Sequence, residues 1–342
     1  MSITAEAQKS LVSVIIPTYN RPKYLPAAIA SAVAQTYRNI EIIVSDNASP
    51  ESPESLVRSF NDPRIRFRRN GTNVGMLANF LAAVREAKGK YVAFLHDDDT
   101  WLPEFLERLV PALEESPDLV LAFSDLHLMD AKGAIDRAAT ERHKLHYNRG
   151  GLGQGIYKPF IRLGLVDRAV PAVMSTIYRK DAIDWNAFPP ESEHTYDLYL
   201  TYLACRDGQG AYYCPERLTN YRVHESQVTN TGRLKLAKSF VFCYEQFLKD
   251  ERLRAYHPEF RKRLAFHQEA LGCALLRAGQ AHESRQALLK AIRGGRVNLH
   301  TVGALMVGAA PKPLSSHIVD DKKKPPVTLP PATVSQAGGQ KA

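Results

Sequence analysis

Residues Lys90 to Pro103 read KYVAFLHDDDTWLP, and the fold follows from how this stretch is taken. Tyr91 to Leu95 is an unbroken run of apolar residues rich in β-formers. With no polar alternation, both faces of such a strand are buried, as in the middle of a parallel sheet. The run stops at His96, and three carboxylates follow at once: Asp97, Asp98 and Asp99. Trp101, Leu102 and Pro103 are then expected to open a helix, with proline in its first turn. Three adjacent acids repel one another, and a sheet core offers them nothing in return. At the carboxyl end of a strand they suit a hard divalent cation held together with ligand phosphates. The other reading is an acidic turn in which Asp99 caps the next helix.

On either side, strand and helix signals alternate. Val12–Pro17, Glu41–Ser45, Arg64–Arg69 and Leu119–Ser124 read as strands. Tyr24–Gln35, Glu54–Phe60, Met76–Ala87 and a segment ending near Glu115 read as helices. Such alternation with short loops predicts a doubly wound, mostly parallel α/β sheet with helices on both faces and right-handed crossovers. Ligands of these sheets sit at the carboxyl ends of the strands. The loop Pro17-Thr18-Tyr19-Asn20, Asp46, the turn Asn70–Gly75 and the Asp triplet all fall at that edge. No GxGxxG follows the first strand and no GxxxxGK[ST] occurs, which argues against a dinucleotide-binding domain and a P-loop. A nucleotide here must be held by side chains and a metal.

A chain of 342 residues, 44% hydrophobic, can bury one large domain plus an accessory region. The net charge of +9 invites a polyanionic partner. No zinc finger, recognition helix or aromatic RNA-binding motif is present, so nucleic acid is not the expected partner. Much of the excess lies in Arg252, Arg254, Arg261, Lys262, Arg263, Arg277, Lys290, Arg293 and Arg296, on a solvated helical face or one that meets an anionic membrane surface. Cys205, Cys214, Cys243 and Cys273 are too widely spaced for a metal pair and read as reduced thiols. The first residues, MSITAEAQKS, lack an apolar signal core. No run approaches the length of a membrane span. The expectation is a soluble, cytoplasmic protein, peripheral at most to the inner face of the plasma membrane. Residues 1–10 read as a tail, 11–232 as the strand-rich domain, 233–310 as a helical accessory region and 311–342 as disordered. Val297 to Ala310 is too short to span a bilayer; it docks on the domain or lies at a membrane surface.

The segments VSVIIPTYNR, EIIVSDNAS, NVGMLANF and GKYVAFLHDDDTWLP resemble, in order and spacing, the amino-terminal half of a family 2 glycosyltransferase of the GT-A fold. The likeness is to the bacterial branch that builds cell-surface polysaccharides. It covers Leu11 to Phe123 well and continues more loosely to about Val228. The resemblance implies an inverting, metal-dependent transferase that moves a sugar from a UDP- or dTDP-linked donor to a saccharide or lipid-linked acceptor. It divides the domain into a nucleotide-binding half, 11–125, and an acceptor half, 126–232. By the same resemblance, Pro17, Thr18, Tyr19, Asn20 and Asp46 hold the base, with Asp46 accepting from an imide N–H. Asn73, Gly75 and Asn79 close that pocket. Asp97 meets the ribose, Asp98 binds Mn2+ or Mg2+, and Asp99 is a second ligand or a cap. The segment Tyr221-Arg222-Val223-His224 matches the family's Tyr-Arg-x-His, so Arg222 faces phosphate and His224 meets the metal or the diphosphate.

Two departures stand out. His96 occupies the place of the first acid of the family's acidic motif. The Glu-Asp pair that supplies the family's base falls on His194-Thr195. Asp197 is therefore the first candidate for the base, Glu193 the second and His194 the third. The alternative function is a catalytically impaired nucleotide-sugar-binding or assembly protein of the same fold. Between Asp125 and Tyr178 the pattern is poor, as an acceptor-binding loop would be.

Overall fold

The computed structural model describes residues 9–170, 173–225 and 232–309. The tail expected to be disordered, 311–342, lies outside the described residues, as does most of the amino-terminal tail. One sheet of nine strands organises the rest. They are β1 (Val12–Thr18), β2 (Ile40–Asp46), β3 (Ile65–Arg69), β4 (Tyr91–Phe94), β5 (Thr100–Trp101), β6 (Leu119–Met129), β7 (Gly155–Tyr157), β8 (Thr176–Arg179) and β9 (Gly210–Arg222). Their order is β3-β2-β1-β4-β8-β6-β9-β5, with β7 on the other part of β9. The first four are parallel neighbours, so the carboxyl ends of β1, β2 and β4 meet at one edge. β8 runs antiparallel between β4 and β6, which makes the sheet mixed in its second half.

The apolar run is buried as its composition demands. Tyr91, Ala93 and Leu95 enter one core with Val12, Val14 and Ile16, while Val92 and Phe94 enter the opposite one with Ile15 and Ile43. Each large apolar side chain removed from water in this way contributes about 1.5–3 kcal/mol. Helices α1 (Leu25–Val33), α2 (Glu54–Ser59), α3 (Met76–Glu86) and α4 (Phe105–Glu115) link the strands. One expectation is corrected. Trp101 does not open a helix: Thr100 and Trp101 pair antiparallel with Asn220 and Thr219 of β9, and α4 starts at Phe105. The Trp101 indole is buried and donates to the Met174 carbonyl at 2.7 Å, an anchor that keeps the chain extended there.

The poorly patterned segment is built around a charge. Arg149 and Asp125 are both buried and paired, Nε to Oδ1 at 2.6 Å. The Tyr213 hydroxyl and the Lys144 ammonium complete the carboxylate's partners. This fixes α5 (Arg137–His146) against β6 and β9. α6 (Tyr196–Cys205) follows a 3-10 turn at Pro190–Thr195. The carboxy-terminal helices are α7 (Arg233–Phe247), α8 (His257–Arg277), α9 (Ala281–Arg293) and α10 (Leu299–Ala309). They do not stand apart: Cys243, Tyr244, Phe247 and Phe260 share a core with Tyr196, Tyr199 and Tyr202. α10 rests on α9 and α8, where Thr301 donates to the buried Glu269 carboxylate. All four cysteines are buried. Among the described residues no helix is long and apolar enough to cross a membrane.

Candidate functional site

The carboxyl edge of the sheet gathers the predicted residues. At the end of β1, Thr18 donates its hydroxyl to Asp97 Oδ2 at 2.7 Å. The chain then turns through Asn20 with φ of 53°, a left-handed conformation that asparagine tolerates better than most residues. Asn20 N–H donates to Ser49 Oγ, and Ser49 donates in turn to Asp46. Tyr19 is exposed at the rim.

Asp46 is fully buried and already has its partners. It accepts from the Ser49 backbone and hydroxyl and from Arg69 Nη1 at 2.7 Å. In this arrangement it ties the β1 and β2 loops together, and an imide N–H reaches it only if Arg69 or Ser49 gives way. Asn79 is engaged within the fold. It is buried, donates to the Ser45 carbonyl and accepts from Ser45 and Asn70, so its amide is spent inside the fold. Asn73 accepts from the Asn47 side chain and from Gly75 N–H. It shapes the turn into α3.

The triplet is partly buried. Burial, then the neighbouring Asp98 charge, pushes the Asp97 carboxyl up to about 7. Burial raises Asp99 as well. Asp99 Oδ1 accepts from Arg222 N–H at 2.8 Å, while Oδ2 is buried with no hydrogen bond. The Arg222 side chain donates to the Asp98 carbonyl and lies over the Tyr24 ring. Burial opposes charge on His96, but the carboxylates, Asp99 foremost, outweigh it and hold the imidazole above its usual range.

A divalent cation fits this group. His96, Asp98 and Asp99 each offer a ligand atom, all within 4.8 Å of one another. Asp99 Oδ2 takes no hydrogen bond and faces the His96 ring nitrogen at 3.4 Å, and a bound cation would satisfy it. His224, expected to meet the metal or the diphosphate, stands against Asp98. Its Nε2 lies 3.0 Å from Asp98 Oδ2 and 3.0 Å from Arg21 Nη1, and Arg21 itself donates to that oxygen at 2.8 Å. A guanidinium charge therefore already stands at that corner.

The two base candidates separate clearly. Glu193 Oε1 accepts from Met76 N–H at 2.9 Å, at the start of α3. Gly75, at φ of 91°, has no side chain there, and a Cβ would come within 2.5 Å of that oxygen. Glu193 is thus an anion held at a helix N-terminus. Asp197, half-buried in the first turn of α6, takes no side-chain hydrogen bond or ion pair among the described residues. Burial first raises the Tyr196 and Tyr221 hydroxyls; the charge of Asp197 comes next for Tyr196, and those of Asp99 and Asp98 come next for Tyr221. Thr195, at the family's base position, is buried and bonded to Ser239. Arg21, Ser49, Arg69 and Tyr196 were not singled out from the sequence. Arg21 directly follows the quoted loop, and Asp46-x-x-Ser49 is a local side-chain-to-backbone pattern that could have been found.

The mixed sheet with its helices is a fold of the GT-A type. Residues 13–155 match the model of Glycosyl transferase family 2, which with the relatives that follow supports a family 2-like glycosyltransferase. It is 29% identical over 245 residues to an uncharacterised glycosyltransferase of Rickettsia typhi, covering 70% of this chain and 72% of that one. It is also 24% identical over 231 residues to UDP-Glc:alpha-D-GlcNAc-diphosphoundecaprenol beta-1,3-glucosyltransferase WfgD of Escherichia coli, covering 67% and 84% of the two chains. Among solved structures, S. aureus TarS 1-349 in complex with UDP-GlcNAc superposes with a TM-score of 0.55 at 15% identity, over 83% of this chain and 89% of that one. The mannosyltransferase PcManGT from Pyrobaculum calidifontis, in complex with GDP-Man and Mn2+, gives 0.57 at 17% identity, over 91% and 84%.

Proposed function

We propose that the protein transfers a sugar, with inversion and with a divalent cation, from a nucleoside-diphospho-sugar to a lipid-linked saccharide during cell-surface polysaccharide synthesis. The observation that supports this reading is an acidic group at the carboxyl edge of the sheet with a buried oxygen that takes no hydrogen bond; Asp197, in the first turn of α6, is the carboxylate assigned to the acceptor. The lipid-linked acceptor is suggested by the name of the Escherichia coli relative. The donor base is read as uracil or thymine, because Asp46 is the carboxylate at the β2 edge and an imide N–H is what it would accept.

In this reading Thr18 fixes Asp97 toward the ribose, and Arg21 and His224 hold Asp98. Arg222 braces Asp98 and Asp99 through its backbone and side chain and stands beside the diphosphate. Mn2+ or Mg2+, held by the acidic group, would neutralise charge developing on the leaving diphosphate. Asp197 takes the proton of the acceptor hydroxyl. That oxygen forms the new bond to the anomeric carbon as the carbon–oxygen bond to the diphosphate breaks, and the electron pair leaves with the nucleoside diphosphate. Attack opposite the leaving group inverts the anomeric centre. Exposed Arg285, Lys290 and Arg293 on α9, with exposed Leu299 on α10, support a peripheral contact with an anionic membrane, where such an acceptor resides.

The test is incubation with a panel of nucleotide-sugars and a polyprenyl-diphospho-saccharide, followed by mass spectrometry and NMR of the product. A glycolipid one sugar heavier with inverted anomeric configuration is expected. Tight donor binding without transfer to any acceptor in a wide panel would favour the binding-protein reading instead.

A further inference from the structure

We infer that Arg168, Tyr244 and His267 bind the diphosphate of the lipid-linked acceptor, close to the carboxylate that takes the acceptor's proton. This rests on the proposed reading of that acceptor. Arg168 follows the turn Arg162–Val166 and has a left-handed backbone, with φ of 56°. A bulky residue adopts that conformation only where its surroundings impose it. Here they do. The side chain of Asn148, itself at φ of 54°, donates to the Asp167 carbonyl at 2.7 Å, and Arg263 Nη2 donates to the Val166 carbonyl at 3.1 Å. The segment is thus pinned from beyond the end of α5 and from α8, and the Arg168 guanidinium is laid over the Phe240 ring, 5.6 Å from its centroid.

That guanidinium is short of partners. Among the described residues no carboxylate pairs with it, and its Nη1 is buried with no hydrogen bond. The Tyr244 hydroxyl and His267 Nε2 are likewise buried with no hydrogen bond. The three belong to one cluster: Tyr244 stacks on His267 at 5.2 Å and Phe240 stacks on it at 4.2 Å. Burial opposes the Arg168 charge, while Tyr244 first and Asp197 next favour it. Burial, then Arg168 and Arg263, hold the His267 imidazole well below its usual range, so it stays neutral. With the His267 proton on Nε2, the cluster presents three donors and a fixed positive charge, and no carboxylate receives them. Buried donors left in this way cost free energy. A phosphate supplies several acceptor oxygens and the negative charge that a guanidinium grips as a fork. Asp197 is not that anion, since it makes no ion pair with Arg168 and must stay free to take a proton. Arg168 and Phe240 are only partly buried, so the cluster reaches the surface.

The test is calorimetry on the full chain, loaded with UDP and Mn2+ so that the donor edge is filled. One titrant is geranyl-diphospho-N-acetylglucosamine, an acceptor of the proposed class; the other is octyl N-acetylglucosaminide, which lacks the diphosphate. The wild type should bind the diphosphate compound more tightly. Arg168→Gln should weaken that binding roughly 10–100-fold, the worth of a hydrogen bond to a charged group, and weaken the octyl glycoside little. Tyr244→Phe removes a hydroxyl that the fold leaves unsatisfied. It should melt at or above the wild-type temperature yet bind the diphosphate compound several-fold more weakly, a combination that a structural role does not give. Circular dichroism checks the fold of both variants. A wild type with no preference for the diphosphate compound, a preference unchanged in both variants, or equal losses for the two titrants in Arg168→Gln would overturn the inference. Inorganic phosphate that binds as tightly and displaces the diphosphate compound would make the cluster a free-phosphate site and also overturn it. An Arg168-dependent preference without sugar transfer to this acceptor would count against the proposed function and support the diphosphate site.

Discussion

Replacing Asp197 by asparagine keeps the shape of the side chain and removes its capacity to take a proton. The Asp197 side chain takes no hydrogen bond or ion pair among the described residues, so the substitution breaks none; its charge does act on the buried Arg168 guanidinium, so circular dichroism checks the fold of the variant. Loss of a general base costs roughly 10²–10⁴-fold in rate, about 3–5 kcal/mol of activation free energy. Glu193→Gln is the informative companion. It retains an oxygen to accept from Met76 N–H but loses the negative charge at the start of α3. That charge is worth about 0.3–1 kcal/mol, and the melting temperature should fall by about 1–3 °C. Transfer to the acceptor should change little. Both variants are assayed for transfer under single-turnover conditions, with donor affinity measured by calorimetry, where Asp197→Asn should match the wild type. Near wild-type transfer by Asp197→Asn together with a collapse in Glu193→Gln would refute the reasoning and make Glu193 the base.

Two further outcomes follow from the same geometry. Asp125→Ala strands Arg149 as a buried cation. Breaking such a pair costs about 3–5 kcal/mol, so urea unfolding should shift to much lower denaturant; an unchanged midpoint would show that the cluster contributes nothing. Asp97 is held up to about 7 against an ordinary 3.8, so the folded protein keeps a proton that the unfolded chain releases. Stability from this group is therefore present at low pH and lost as pH rises from about 4 to about 7. In EDTA, the drop in melting temperature between about pH 5 and about pH 8 should be smaller in Asp97→Asn than in the wild type; equal drops would contradict the shift.

The first half of the fold was readable because its signals are local. Tyr91 to Leu95 is apolar on both faces, and its neighbours Val12–Pro17 and Glu41–Ser45 share that character, so strand identity and edge convergence came from composition alone. β5 and β8 were not legible. Two residues of β5 carry no period, and β8 is four residues that pair antiparallel only because β4 and β6 flank it. The triplet announced itself as a cluster, but its partners did not. Arg21 reaches it from a distant position, as Tyr196 reaches the adjoining His96, and nothing in their own segments marks the destination, whereas Arg222 is marked only by resemblance. Asn79 shows the opposite case. An amide at the start of a helix beside a ligand edge suits a pocket, yet here it satisfies the backbone and side chains of its own scaffold.

The central claim, that an acidic edge holds a nucleoside diphosphate through a divalent cation, is tested most directly by thermal unfolding with UDP in Mn2+ and in EDTA. A ligand at a hundred times its dissociation constant stabilises by about 2.7 kcal/mol, a rise of several degrees. The account predicts that rise in Mn2+ and none in EDTA. Equal stabilisation by UDP in EDTA would contradict it.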